Sequence, residues 1–113
     1  MRKVSELEGA ELDYWVARAE GEPAIFEHDT CKYHYDDRNG TWEPGWFPSA
    51  NWSQGGPIIE RENIGSMPPY GLRDGWNAAI DAGNAVFSMD GPTLLIAAMR
   101  CYVASKFGDE VNE

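Results

Sequence analysis

The segment 93–107 constrains the fold more than any other part of this chain. Its apolar residues cover almost the whole circumference of a helix, and after the opening Thr93 only Arg100, Ser105 and Lys106 are polar or charged. A helix that is apolar on all sides is buried on more than one side. In a chain of 113 residues this leaves two arrangements open. The helix lies between a sheet and another helix, or part of it forms an oligomer interface.

The sequence signals around two helices agree with this reading. Asp90-Gly91-Pro92-Thr93 opens the apolar helix, and Gly108 ends it. Near the N-terminus, Ser5-Glu6-Leu7-Glu8 matches a capping box and predicts a helix that runs to about Glu20, where Gly21 stops it. The apolar stripe of this first helix consists of Leu12, Trp15, Val16 and Ala19, and the side predicted to face water consists of Glu11, Asp13, Arg18 and Glu20.

The rest of the chain has the pattern of short strands and turns. Extended segments are predicted at 2–4, 24–26, 31–35, 41–42, 76–80 and 85–88, and turns at 39–40, 43–45 and 82–84. The stretch 65–71, which contains Pro68-Pro69, is predicted to be a connector. The expected fold is therefore one small α+β domain over residues 1–113, with two main helices packed on a short antiparallel sheet and a long aromatic and glycine-rich loop.

That loop, GWFPSANWSQGGPIIERE at 45–62, has the composition of a binding segment. It has a turn signal at Pro48-Ser49, a break at Gly55-Gly56-Pro57, and no regular period before its end. Pro57 suits the first position of a short helix over 58–63. A strand is the rival interpretation, and the periodicity of so few residues cannot decide between them.

The residue types in the loop favour a flat, anionic ligand. Trp46 and Trp52 offer rings on which a base can stack, and Ser49 and Gln54 offer hydrogen-bonding edges. The backbone amides at Gly55-Gly56 can approach an anion closely. The predicted ligand-binding residues are Trp46, Pro48, Ser49, Trp52, Gln54, Gly55, Gly56 and Arg61, with Arg61 balancing charge. The alternative is that the tryptophans simply close the core.

Charge and hydropathy exclude some partners. Nine basic residues stand against nineteen acidic ones, which gives a net charge of −10. Duplex nucleic acid and anionic membranes are therefore poor partners, and no apolar run approaches the ~20 residues of a membrane-spanning helix. The N-terminal residues also lack the apolar region of a signal peptide.

Catalytic and metal-binding motifs are weak. His28, Cys31 and His34 have a spacing that suits zinc ligands, but the paired motif expected of zinc modules is missing. We therefore predict no metal, no other cofactor and no enzymatic activity. Cys31 and Cys101 are predicted to be reduced thiols, with a disulfide between them as the alternative.

Three blocks of the sequence resemble the NinX-like family of small proteins from tailed bacteriophages. They read LEGAELDYWVARAEG at 7–21, WFPSANWSQGGPIIERE at 46–62 and GPTLLIAAMRCYVASKFGDEV at 91–111. The family has no known function, so the resemblance implies a phage origin and the cytoplasm of the bacterial host without any catalytic residue. The segment Trp46-Phe47-Pro48-Ser49 is also similar to Trp-x-Pro-Ser segments of small phage proteins that sequester nucleotide immune signals.

Together these observations favour a non-enzymatic phage accessory protein that binds a small nucleotide-like ligand, in counter-defence. The alternative is an acidic protein-binding inhibitor of a host factor, since an acidic surface attracts basic partners. The apolar 93–107 helix adds the expectation of a homodimer through that helix.

Overall fold

The computed structural model describes residues 1–43, 45–71 and 74–112, without the side chains of residues 34–36 and 43. The helices are α1 (Gly9–Ala19), α2 (Trp52–Arg61) and α3 (Leu94–Phe107), and a 3₁₀ turn spans Val4–Glu6. The strands are β1 (Arg2–Lys3), β2 (Ala24–Glu27), β3 (Thr30–Asp36), β4 (Thr41–Glu43), β5 (Gly65–Met67), β6 (Trp76–Asp81), β7 (Val86–Gly91) and β8 (Glu110–Val111). These elements confirm the predicted α+β class.

The described strands form three small antiparallel sheets, where the sequence predicted one. Strands β2, β3 and β4 form one sheet, β5, β6 and β7 another, and β1 pairs with β8. The first sheet packs on α1 and the second packs on α3, so each helix covers its own sheet. The pairing of Arg2 with Val111 holds the two ends of the chain together.

Helix α3 lies at the centre of the structure. It packs against β6 and β7, and it also contacts α1 and α2. Its residues from Ala97 to Ala104 are all buried. The first of the two arrangements left open by the sequence is therefore the one adopted. Burial within a single chain accounts for the apolar circumference, so the composition of this helix no longer calls for a homodimer.

The predicted helix ends are largely confirmed. Gly21 has φ +79° after α1, and Gly108 has φ +89° after α3, a left-handed region that glycine enters without strain. The capping box is wrong, because Glu8 precedes α1 without a side-chain cap. Ser5 instead belongs to the separate 3₁₀ turn, which the bond from Leu7 N–H to the Val4 carbonyl closes at 3.1 Å.

Helix α2 replaces most of the predicted loop. Asn51 caps it, with Oδ1 accepting the Ser53 backbone N–H at 2.8 Å. The residues Gly55-Gly56-Pro57, which read as a break, lie inside the helix, although Pro57 cannot donate the usual backbone bond. Ile58 is buried against the core. Residues 58–61 are therefore helical and do not form a strand. The helix begins at Trp52, six residues before Ile58.

The remaining strand predictions mostly hold. Along β6, Ala78 and Ile80 share the buried face, as their alternation predicted. The connector at 65–71 is partly wrong, because β5 pairs there with β6 from Gly65 to Met67. Pro44, in a predicted turn, lies outside the described residues. None of the described helices has the length and hydropathy to cross a membrane.

Candidate ligand-binding groove

Asp13 connects α1 to residues 46–49, the segment before α2, through two hydrogen bonds. Its Oδ1 accepts the backbone N–H of Ser49 at 2.9 Å, and its backbone carbonyl accepts the indole N–H of Trp46 at 3.0 Å. The side chain is only 3% exposed. The prediction that Asp13 faces water is therefore wrong, because the 46–49 segment covers this side of the helix.

Burial changes the acidity of this carboxyl group. It raises the pKa of Asp13 from 3.8 to about 6, although the hydrogen bonds from the Ser49 hydroxyl and backbone act in the opposite direction. A buried carboxylate is costly to ionise unless it accepts hydrogen bonds. At neutral pH, Asp13 is thus an ionised group that depends on Ser49.

Four of the predicted ligand-binding residues hold this segment in place. The Trp46 ring lies 5.3 Å from that of Tyr33, and Pro48 and Ser49 are buried. Gln54 closes the turn, since its Nε2 donates to the Gly45 carbonyl at 2.6 Å and its Oε1 accepts the Phe47 N–H at 2.8 Å. Their polar groups are engaged inside the protein.

The two glycines lie within α2. The Gly55 amide donates to the Asn51 carbonyl at 2.9 Å, as in any helix. A Cβ at Gly55 would lie 2.5 Å from the Pro48 carbonyl oxygen and 2.7 Å from Leu95 Cδ2, whereas one at Gly56 would be 3.7 Å from its nearest neighbour, Trp52 Cε3. Gly55 is thus a packing residue between α2 and α3.

Arg61 and Trp52 lie at opposite ends of α2. Nine helical steps of ~1.5 Å separate them by ~14 Å along the axis. Arg61 pairs with Glu20 at 2.5 Å and Glu62 at 2.8 Å and donates to the Tyr102 hydroxyl at 3.2 Å. Trp52 is 55% exposed. The structure therefore does not gather the eight predicted residues into one site.

The Glu20 carboxylate, at the end of α1, connects α1 to α2 and α3. It accepts the Tyr102 hydroxyl at 2.5 Å as well as the Arg61 guanidinium. Burial alone would raise the pKa of Glu20, but the hydrogen bonds from Arg61 and Tyr102 outweigh burial and lower it. Burial and the Glu20 charge raise the pKa of Tyr102 well above its usual range.

The cysteine and histidine residues do not form a site in the described part of the chain. Cys31 and Cys101 are buried free thiols, as predicted. Burial raises the pKa of Cys31 to about 12 and that of Cys101 to about 11, so both are protonated at neutral pH. Among the described side chains, which do not include His34, no three His, Cys, Asp or Glu are arranged to hold a metal ion.

A concave surface, which we call the aromatic groove, lies along the face of α1 that carries Tyr14 and Arg18. Its volume is about 760 Å³. Its described lining comes from α1, β2, the end of α3 and the paired chain ends, and includes no residue from 45–62. The groove is lined by Met1, Arg2, Glu11, Tyr14, Trp15, Arg18, Phe26, Phe107, Glu110, Val111 and Asn112.

Four aromatic rings form the apolar wall of the groove. The Tyr14 ring centre lies 5.2 Å from that of Trp15 and 6.3 Å from that of Phe26. Trp15 and Phe107 meet edge to face at 5.4 Å. Phe26 and Phe107 are 37% and 40% exposed. The rings are therefore held by one another while part of their surface remains open to a ligand.

Arg18 provides a positive charge in this wall. Its Cζ lies 5.4 Å from the Trp15 ring centre and 5.7 Å from that of Tyr14, whose hydroxyl accepts Nη1–H at 2.7 Å. No carboxylate oxygen of a described side chain lies within 4.0 Å of it. The guanidinium is thus ordered by rings and keeps donors for an anion.

The other charges of the groove are partly neutralised. Arg2 donates to both carboxylate oxygens of Glu11, at 2.9 and 3.2 Å. The exposed Glu110 adds a negative charge at the rim. The sequence does not predict this site, because its rings come from distant segments. The one local signal was the spacing of Tyr14 and Arg18, which places them one helical turn apart.

Comparison with known proteins identifies the family. A family model described as Bacteriophage P22, NinX matches residues 3–106. The chain belongs to this bacteriophage family. The match confirms the resemblance seen in the sequence, and it includes Tyr14, Arg18 and Phe26 but ends before Phe107. No curated protein gives a significant match to the chain.

Proposed function

We propose that this NinX-family chain is a non-enzymatic phage accessory protein that binds a small nucleotide-like ligand in the aromatic groove. The ligand would be a host defence signal, which the protein sequesters in the bacterial cytoplasm. The observation that supports this proposal is the position of Arg18, a cation stacked on Tyr14 and Trp15 without a described carboxylate partner.

The wall suits a flat ring. Tyr14, Phe26 and Phe107 expose part of their rings on one concave surface. Stacking of a base on an aromatic side chain contributes ~1–3 kcal/mol. The groove volume of about 760 Å³ falls in the range of ~300–1,000 Å³ that is usual for small-molecule sites.

Arg18 suits the anionic part of such a ligand. A guanidinium donates two parallel hydrogen bonds to a phosphate or carboxylate. The net charge of −10 and the nearby Glu110 oppose any anion, so binding depends on this local cation. We therefore expect affinity to fall sharply when Arg18 is neutralised.

A binding role without catalysis is supported by the state of the nucleophiles. Burial keeps the thiols of Cys31 and Cys101 protonated, through pKa values of about 12 and 11. A thiol is a nucleophile only as the thiolate. The described groove lining contains neither cysteine.

Calorimetric titration with a panel of cyclic and linear nucleotides tests the proposal. Wild-type protein should bind at least one of them, and R18A should bind it at least ~10-fold more weakly, as expected for a lost charged hydrogen bond. R61A is the matched control, because it removes the same charge at a site outside the groove. The proposal fails if no nucleotide binds at millimolar concentration.

These two variants, together with W52A, separate the groove from the site first predicted at 45–62. Loss of binding in R61A and W52A, with R18A unaffected, would place the ligand on α2 instead. Each variant needs a thermal melt beside the titration, since Arg61 also joins Glu20 and Tyr102.

A second candidate is an acidic protein-binding inhibitor of a host factor. The net charge of −10 and the exposed rings of Trp52 (55%) and Phe47 (43%) favour it, because aromatic anchors often dominate protein interfaces. Capture of one basic host protein should then decrease in W52A and at high salt. Capture unaffected by both changes would contradict this candidate.

A further inference from the structure

A second cavity, which we call the Arg100 cavity, shares no described lining residue with the aromatic groove. Its volume is about 610 Å³. It lies where the 3₁₀ turn and the segment before β6 meet the end of β7 and helix α3. The residues that matter here are Ser5, Asp74, Ser88, Asp90 and Arg100.

Arg100 is a buried cation in this cavity without a described counter-ion. Its side chain is 8% exposed. Nε donates to the Leu7 carbonyl at 2.7 Å, and Nη1 donates to the Asp90 carbonyl at 2.9 Å. A guanidinium has five N–H donors, and the described residues accept only these two bonds.

The charge of Arg100 is therefore only partly compensated. No carboxylate oxygen of a described side chain lies within 4.0 Å of it. Burial lowers the pKa of Arg100 from its ordinary value, while the charge of Glu8 acts in the opposite direction. Because an unpaired buried charge is costly, a ligand carboxylate at this position would be favoured.

The acids at the mouth of the cavity determine which kind of carboxylate fits. Asp74 and Asp90 are exposed, and Asp90 accepts the Asn77 side-chain amide at 2.9 Å. These two charges repel a simple anion, and Arg100 repels a simple cation. A molecule that carries both charges avoids both repulsions. Ser5 also lines the cavity, and the Ser88 Oγ accepts the other hydrogen bond of the Asn77 side-chain amide at 2.9 Å.

We propose that the Arg100 cavity binds a small zwitterion of the α-amino-acid class. Its carboxylate binds the Arg100 guanidinium, and its ammonium group binds Asp74 and Asp90. This site does not depend on the nucleotide-like ligand proposed for the groove, so either proposal can fail alone.

The test is an NMR titration of the full chain that follows the backbone amides of Gly75 and Gly91 and the Arg100 Nε–H. The probes are glycine, leucine and glutamate, with glycylglycine to distinguish free amino acids from peptide ends. Acetate and methylammonium carry one charge each. At least one amino acid or the dipeptide should bind at least ~10-fold more tightly than acetate or methylammonium, since each ligand charge makes its own charged hydrogen bonds.

Two outcomes of this titration overturn the proposal. One is that no zwitterion shifts these signals at millimolar concentration. The other is that acetate binds as tightly as the amino acids, which would make the site a simple anion site.

Variants complete the test. D74N should weaken amino-acid binding by ~10-fold without weakening acetate binding, because it removes the ammonium partner and a charge that repels anions. D109N, the same change at an exposed residue outside the cavity, should alter neither. R100M should bind neither the amino acids nor acetate. If R100M does not fold, the comparison of D74N with the wild type still tests the proposal. Equal amino-acid affinities in wild type and D74N would contradict the proposal. R18A, which alters the aromatic groove, should still bind the amino acid in the Arg100 cavity.

Discussion

The Asp13 carboxylate accepts the backbone N–H of Ser49 at 2.9 Å across 36 positions of sequence. This bond joins α1 to the segment that leads into α2. With Trp46 donating to the backbone of the same residue at 3.0 Å, it explains why an aromatic, glycine-rich stretch is an ordered part of the fold. The described contacts of this segment therefore contribute to the packing of the helices.

Asp13 should make the stability of the protein depend on pH. Its pKa is about 6 in the folded state and 3.8 in the unfolded chain, so the folded state binds the proton more tightly between these values. Its contribution to stability should therefore increase as pH falls from 7 to 4, by up to ~3 kcal/mol.

D13N isolates this effect from the other titrating groups. Asn keeps an oxygen that can accept the Ser49 N–H but does not titrate. Urea unfolding of both proteins at several pH values gives the difference in unfolding free energy. Parallel pH profiles for wild type and D13N would show that Asp13 is not the group responsible.

The neighbouring glycines of α2 should respond in opposite ways to the same substitution. G55A should destabilise the protein by ~1–3 kcal/mol, because its methyl group meets the Pro48 carbonyl and Leu95. G56A should stabilise it by ~0.5–1 kcal/mol, because alanine favours the helix and has room there. Thermal melts of the two variants check this, and equal shifts would contradict the close packing of Gly55 on Pro48 and Leu95.

Glu20 should matter more than its sequence neighbour Glu22. E20Q weakens the bonds to Tyr102 and Arg61 and should cost ~1–3 kcal/mol of stability. Glu22 is exposed, so E22Q makes the same charge change with an expected effect below ~0.5 kcal/mol. Chemical denaturation measures both, and similar values would mean that the Glu20 cluster contributes little.

The two thiols should be unreactive in the folded protein. Cys31 is 6% exposed and Cys101 is fully buried, and burial raises both pKa values above 10. A thiol reagent at pH 8 should therefore label neither residue quickly, and should label both after unfolding in urea. Rapid labelling of the native protein would contradict the burial of these residues.

The sequence predicted correctly those features that depend on residues close together along the chain. The apolar circumference of α3 and the glycines that end α1 and α3 were readable from spacing alone. Asp13 was misread, because a carboxylate on a helix normally faces water and its partner Ser49 lies far along the chain. No periodicity reports such a contact.

Helix α2 and the groove could be identified only from the tertiary structure. Gly55, Gly56 and Pro57 have low helix propensity, but the close packing of Gly55 on Pro48 and Leu95 overrides it. The groove brings Tyr14 together with Phe26 and Phe107, from three separate elements. The sequence offered only the Tyr14–Arg18 spacing as a trace of this site.

The most direct test of the central claim is the indole N–H spectrum of the protein during titration with a nucleotide. Trp15 lines the groove, whereas Trp52 is exposed on α2, so the two signals report the two locations. The claim predicts that the Trp15 signal shifts saturably, that Trp52 does not move, and that R18A abolishes the shift. A saturable shift of Trp52 with Trp15 unmoved, or no shift of either signal with any nucleotide, would contradict it.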